Sequence, residues 1–369
     1  MNKVILLVIA VFFLLGGLDY VFGNRFRIGE KFEEGIKTMG TLAIAMTGIY
    51  SLSPLLSKAM ELIFVPFSKL LFVDASLFPA MFLATDMGAY QLCTSIAKNE
   101  VLGLFSAIIL SSMLGCTISF TIPMAIGLID KEDYDYFSKG IMSGIITIPV
   151  GCLVAGIIQG INIGILLWNL MPIILVSLLL ALGILKIPQK LIKVFTLLGK
   201  AIISLSIVGL ILQGIDAIIG VKLISGLIPV DEALAVVGRI AFVLAGAYTM
   251  ISILSRVFRE PFRRLGRRYG LNTPSVVGLL GCLASNLLVF ATFKDMNTKG
   301  KILCTAFSVS GAFVFGGQMG FVSAKEPQVL SIFILAKLIS GVSAVILANY
   351  IFTKDFTVVH NESCDTTFI

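Results

Sequence analysis

Apolar residues run along this chain in blocks long enough to cross a bilayer, separated by short polar joints. A spanning helix needs about 20 mostly apolar residues. Blocks of that kind lie at roughly 3–22, 34–56, 101–128, 138–160, 163–185, 196–220, 233–255, 299–323 and 328–351. The first reads as a helix and not as a signal peptide, because its n-region holds only Lys3 and no small-residue cleavage site precedes Asp19-Tyr20. Two further apolar pieces, about 76–97 and 274–293, are interrupted at their centres, one by Asp86-Met87-Gly88 and the other by Ser285-Asn286.

The charged joints assign sides, since cytoplasmic loops are enriched in Lys and Arg. The strongest joint is 256–268, with Arg256, Arg259, Arg263, Arg264, Arg267 and Arg268 against Glu260. Lys186, Lys190 and Lys193 mark a second, and Arg25, Arg27 and Lys31 a third. All three fall on one side only if 76–97 and 274–293 each enter and leave by the same face. They are then re-entrant hairpins. The N-terminus is expected outside and the polar tail after about 353 inside.

An internal repeat supports this layout. Gly17-Leu18-Asp19-Tyr20-Val21-Phe22-Gly23 recurs as Gly214-Ile215-Asp216-Ala217-Ile218-Ile219-Gly220, and Leu83-Ala84-Thr85-Asp86 as Leu283-Ala284-Ser285-Asn286. The fold class read from this is an all-α polytopic membrane protein with two inverted-topology repeats, each carrying a re-entrant hairpin. Repeat 1 covers 1–160, a linking helix and loop 161–195, repeat 2 196–352 and a polar tail 353–369. Secondary transporters share this plan, with substrate bound at the midplane where broken elements meet. Ten helical residues from position 76 rise ~15 Å, half of a ~30 Å hydrocarbon core. The hairpin tips at Asp86 and at Ser285-Asn286 are therefore expected to face each other at mid-depth.

Composition narrows the chemistry. Of 369 residues 57% are hydrophobic and 13% charged, against about 25% charged in ordinary soluble domains. A water-soluble enzyme, a disordered chain and a coiled coil are excluded. The single histidine, His360, lies in the polar tail, which leaves no imidazole for metal binding or acid/base catalysis within the membrane. The six cysteines form no CxxC pair and read as small core hydrophobes. The net charge of +7 belongs to the loops and not to a nucleic-acid partner. No Walker A loop or dinucleotide fingerprint occurs, so no cofactor or ATP motor is implied.

Asp86 is the principal candidate. A carboxylate near the bilayer centre costs ~2.5–3.5 kcal/mol on insertion scales and needs a partner, yet no Lys or Arg precedes Lys98 in its hairpin. It either binds a cationic substrate or caps the half-helix after the turn. Its neutral repeat partner Asn286 completes a pair suited to a small molecule with one positive end and one hydroxyl. Thr85, Ser285, Gln318, Ser112, Thr117, Ser119 and Ser310 are further lining candidates, with back-bonding to their own helices the competing role of the hydroxyls. Tyr90 could face an ammonium or simply pack. Glu33 and Glu34 begin the second long helix, either complementing its dipole or gating against Arg25, Arg27 or Lys37. Asp19 and Asp216 end equivalent helices, and Arg239 is expected to pair with Asp216.

The run Phe32-Glu33-Glu34-Gly35-Ile36-Lys37-Thr38-Met39-Gly40, with Leu42-Ala43-Ile44-Ala45-Met46, Asp86-Met87-Gly88 and Ser119-Phe120-Thr121-Ile122-Pro123, resembles the ethanolamine permease (EutH) family of bacterial ethanolamine-utilisation operons. The resemblance covers about 1–352. It implies an inner-membrane facilitator admitting ethanolamine for catabolism, and carries over no residue roles. Another small amine or ammonium is the alternative cargo, and a membrane enzyme or sensor the alternative class. Analogy with inverted-repeat carriers suggests a homo-oligomer, a dimer or trimer.

Overall fold

The computed structural model describes residues 1–352, apart from the side chains of Arg259 and Leu265. The polar tail, with His360, Cys364 and the expected cytoplasmic C-terminus, lies outside the described residues. Every regular element among those described is helical. In chain order they are α1 Asn2–Val21, α2 Gly29–Leu71, α3 Leu77–Phe82, α4 Tyr90–Ile96, α5 Glu100–Ile126, α6 Lys131–Ile158, α7 Ile163–Lys186 and α8 Pro188–Ile219. There follow α9 Val230–Val257, α10 Arg259–Arg268, α11 Thr273–Cys282, α12 Asn286–Ala291, α13 Thr298–Gly311, α14 Gly317–Lys325 and α15 Pro327–Ile351. Eight of these, α1, α2, α5, α6, α7, α8, α9 and α15, are long and apolar enough to cross a membrane.

The ninth expected span, 299–323, is broken. Helix α13 stops at Gly311, Ala312–Gly316 form an irregular turn, and α14 begins at Gly317. The amides freed by the break have partners in the second hairpin: Phe313 N–H donates to the Cys282 carbonyl (3.1 Å) and Phe315 N–H to that of Leu283 (2.8 Å). Irregular backbone at this depth survives only where protein satisfies it. Phe313 takes a left-handed φ of +59°, a conformation that costs a bulky residue ~1–2 kcal/mol. The 34–56 span is likewise revised, since it is part of the 43-residue α2, which carries Pro54 and Pro66 in its interior.

Side chains start and clasp these elements. Asn99, Asn162, Asn272 and Asn297 cap α5, α7, α11 and α13 by accepting amide hydrogens. The first hairpin closes at its base through buried Asp74, which accepts from Ser76 N–H (3.0 Å) and Lys98 N–H (2.9 Å). The second closes where Asn272 donates to the Asp295 carbonyl (2.8 Å) and Asn297 to that of Gly270 (2.7 Å). Each hairpin thus enters and leaves at one end.

Helices sort into two groups. One is α1, α2, α8 and α9, packed along one another. Helices α2 and α8 approach closely at Gly48 and Gly209, where a Cβ at Gly48 would overlap the Ser206 carbonyl. The other is α6, α13 and α15 with the hairpins and α5, which is almost wholly buried. Most of α5 is wound in wide π-type turns, Phe105–Gly115 and Thr117–Thr121. Such turns are uncommon and cluster at functional sites. Arg256 donates to the carbonyls of Phe26 and Arg27, so two of the basic joints share one face. Asn2 meets Gln328 and Ser331 at the opposite face.

Candidate functional site

Asp86 sits where the first hairpin unwinds. Leu83 and Ala84 are extended, Met87 leaves helical geometry (φ −113°, ψ 37°) and Gly88 adopts φ +99°. Only a residue without a Cβ fits that last position easily, and Ile49 of α2 presses against it. The Asp86 carboxylate is surrounded by protein, yet part of its surface stays uncovered. Among the described residues it forms no ion pair. A Cβ added at Gly317, the first residue of α14, would lie 3.9 Å from Asp86 Oδ2, so the carboxylate stands near the start of the helix that follows the break.

A basic residue does stand near Asp86, on a helix outside its hairpin. Lys337, at the centre of α15, is 1% exposed. Its ammonium donates to the Ser112 carbonyl (2.6 Å) and to Gln318 Oε1 (2.9 Å), and lies 5.4 Å from the centre of the Phe333 ring. It stays more than 4 Å from Asp86, and each charge acts on the other. The rule that flagged Asp86, an ionisable group inside an apolar window, applies equally to Lys337 in Ile334-Leu335-Ala336-Lys337-Leu338-Ile339.

Gln318 joins this cluster through its carbonyl oxygen, which accepts from Lys337. Its Nε2 is buried with no hydrogen-bond partner. The Cys116 thiol lies nearby, but sulfur is a weak acceptor. Thr85 Oγ1 is also buried and unpartnered, as are Thr47 Oγ1 and Ser51 Oγ on α2. Groups of this kind are uncommon in finished cores. Phe120 and Phe313, edge to face at 5.8 Å, are partly uncovered beside the same apolar cluster as Leu83, Ala84 and Met87.

Other sequence candidates occupy different surroundings. Asn286 is fully buried and already paired, donating to Thr121 Oγ1 (2.9 Å) and accepting from Cys282 Sγ (3.2 Å). Ser285 caps α12 by accepting from Leu287 N–H. The expected tip-to-tip meeting is replaced by a crossed one: Asp86 meets α14, and Asn286 meets Thr121 of α5. The crossing of α5 with α13 links them, through Thr117, whose hydroxyl reaches the Met113 (2.7 Å) and Val309 (3.1 Å) carbonyls. The Ser112 and Ser119 hydroxyls bond back to Ile109 and Gly115, while Ser310 accepts from Ser340 (2.9 Å). Tyr90 donates to Glu326, and Lys325 donates to the Tyr50 hydroxyl (2.6 Å), so two contacts tie the first hairpin and α2 to the end of α14.

The remaining charges are peripheral. Asp19 accepts three amides, from Phe26, Ile28 and Gly29, each at 2.9 Å, and shapes the α1–α2 turn. Glu33 pairs with Lys37 and Glu34 with Lys31, both at 2.6 Å within α2. Since α2 starts at Gly29, these acids lie beyond its first turn, where Glu30 sits. Asp216 and Arg239 do not pair: Arg239 points out from α9, and Asp216 lines a small surface recess with Lys222. Among the described residues no cluster of His, Cys, Asp and Glu is arranged to hold a metal ion.

The comparisons with known proteins agree with this picture of a multi-pass membrane protein. Residues 1–351 match the family model described as "Ethanolamine utilisation protein, EutH". A Listeria monocytogenes protein named "Probable ethanolamine permease EutH" is 40% identical over 349 residues, covering 95% of this chain and 94% of that one. A Bacillus subtilis protein, "Uncharacterized protein YxeR", is 39% identical over 343 residues, 93% of each. A Salmonella typhimurium "Probable ethanolamine permease EutH" is 34% identical over 392 residues, 96% of each. No solved structure matches. Helical architecture, motifs and full-length similarity together make the chain a member of the EutH family of ethanolamine utilisation proteins.

Proposed function

We propose that this chain carries ethanolamine across the membrane as a facilitator, with Asp86 receiving the substrate ammonium. The observation that carries the reading is a carboxylate without an ion-pair partner, held on unwound backbone deep among apolar helices. Ethanolamine is small, mostly cationic at neutral pH and hydroxylated, so a few polar contacts must hold it. The relatives' names point to transport and not to catalysis. Another small amine, or ammonium, is the competing cargo for the same site.

The two hairpins, their clasped bases and the crossed contacts of their tips support two inverted repeats, 1–160 and 196–352, joined by 161–195. In this proposal the group containing the hairpins, α5, α13 and α15 moves against the group of α1, α2, α8 and α9. The adjacent residues Lys325 and Glu326 bond to Tyr50 of one group and Tyr90 of the other, so together these contacts link the groups, and one of them would part as the site opens toward the face holding Asn2. The basic joints put the other face in the cytoplasm, with the N-terminus outside.

Purified protein in proteoliposomes tests the reading. Labelled ethanolamine should equilibrate into them faster than into empty liposomes and be slowed by excess unlabelled ethanolamine. Ammonium that competes equally well would favour the other cargo.

A further inference from the structure

Lysine is a donor-only side chain, and this fixes the orientation of the amide beside it. The Lys337 ammonium reaches Gln318 at 2.9 Å, so the Gln318 atom it meets must be the carbonyl oxygen. The amide cannot turn without pointing its own NH₂ at the ammonium. Gln318 is 2% exposed, and its Nε2 is left without a partner. The preceding residue, Gly317, is the one that approaches the Asp86 carboxylate. An acceptor for ammonium and an unfilled N–H donor thus lie at neighbouring positions, with a fixed positive charge behind the donor.

We propose that Lys337 determines substrate selectivity: by holding the oxygen of Gln318 it presents an N–H donor beside Asp86, so the site takes a primary amine whose far end carries an oxygen acceptor. The inference rests on the reading of Asp86 as the ammonium site. A hydroxyl or ether oxygen fills the Gln318 donor. A methyl group leaves that donor buried and unsatisfied, a loss of the kind that makes hydrogen-bonding sites reject analogues lacking the polar atom. A second ammonium meets both a donor and the Lys337 charge, two like-signed groups at short range in a poorly screened interior. Asn286, whose hydrogen bonds go to Thr121 and Cys282, has no part in this selection.

The test is competition against labelled ethanolamine on the purified full chain, in mildly acidic buffer so that all amines are protonated. For the parent, 2-methoxyethylamine should compete within about tenfold of ethanolamine. Propylamine and ethylenediamine should be weaker by about tenfold or more. Gln318→Glu keeps an oxygen for Lys337 but replaces the free donor with an acceptor. It should shift the ethylenediamine-to-ethanolamine ratio by about tenfold or more toward the diamine. Lys337→Met frees the amide to turn and should erode the same discrimination. If Lys337→Met does not fold, the near-isosteric Gln318→Glu still decides the question. Propylamine matching ethanolamine in the parent, or an unchanged ratio in Gln318→Glu, overturns the inference. Ethanolamine binding that is absent or indifferent to Asp86→Asn overturns the reading beneath it, and this one with it.

Discussion

Asp86, Lys337 and Asn286 show how differently three polar residues set among apolar helices are used. Asn286 has its amide committed to Thr121 and Cys282, so we expect Asn286→Ala to act on stability. Leaving Thr121 without its donor should cost ~1–3 kcal/mol, read as a lower unfolding midpoint in detergent, with ethanolamine affinity changed less than about threefold. A loss of affinity without a loss of stability would return Asn286 to the site. The polarity of Asn286 is legible in the sequence, but its partner is not, because Thr121 lies 165 residues away. Lys337 is masked by its own window, which is otherwise so apolar that it reads simply as a span. Asp19 makes a second prediction at this scale. Its carboxylate accepts three backbone amides, so Asp19→Ala should lower the midpoint, while Arg239→Ala, on an exposed side chain, should leave it unchanged.

At the scale of elements, the two halves solve one problem in two ways. In the first, α5 stays helical through its π turns, and Gly115 lies where a Cβ would overlap the Leu83 carbonyl of hairpin one. In the second, α13 and α14 part, and Gly316 stands equally close to the Ala284 carbonyl of hairpin two. Hydropathy reveals both hairpins, because Asp86-Met87-Gly88 and Ser285-Asn286 interrupt their windows. It misses the break at Ala312–Gly316, because Phe313, Val314 and Phe315 keep that window apolar while the amides of Phe313 and Phe315 bond across to Cys282 and Leu283. A methyl forced against a carbonyl in a close-packed site costs ~1–3 kcal/mol. Gly115→Ala and Gly316→Ala should each lower the unfolding midpoint. A thiol-reactive dye can follow this, because Cys93, Cys116, Cys152, Cys282 and Cys304 are buried and free. Unchanged midpoints would mean that the hairpins do not dock this tightly.

Across the whole molecule, sidedness and the site are separate claims with separate tests. Cysteines introduced at Arg264 and Lys190, both exposed, should react in intact cells only with a membrane-permeant reagent. One at the exposed Glu100, near the clasp of hairpin one, should react with an impermeant reagent. Labelling of position 264 from outside would invert the orientation. The central claim is that Asp86 holds the ammonium, and equilibrium binding of labelled ethanolamine to the purified parent and to Asp86→Asn measures it most directly. The substitution keeps the volume and removes the charge. Losing one side of a desolvated charge-assisted contact costs ~2–5 kcal/mol, and each ~1.4 kcal/mol is a factor of ten. Affinity should therefore fall by more than about tenfold in Asp86→Asn that folds like the parent. Parental affinity in that folded variant would contradict the claim and place the cation elsewhere.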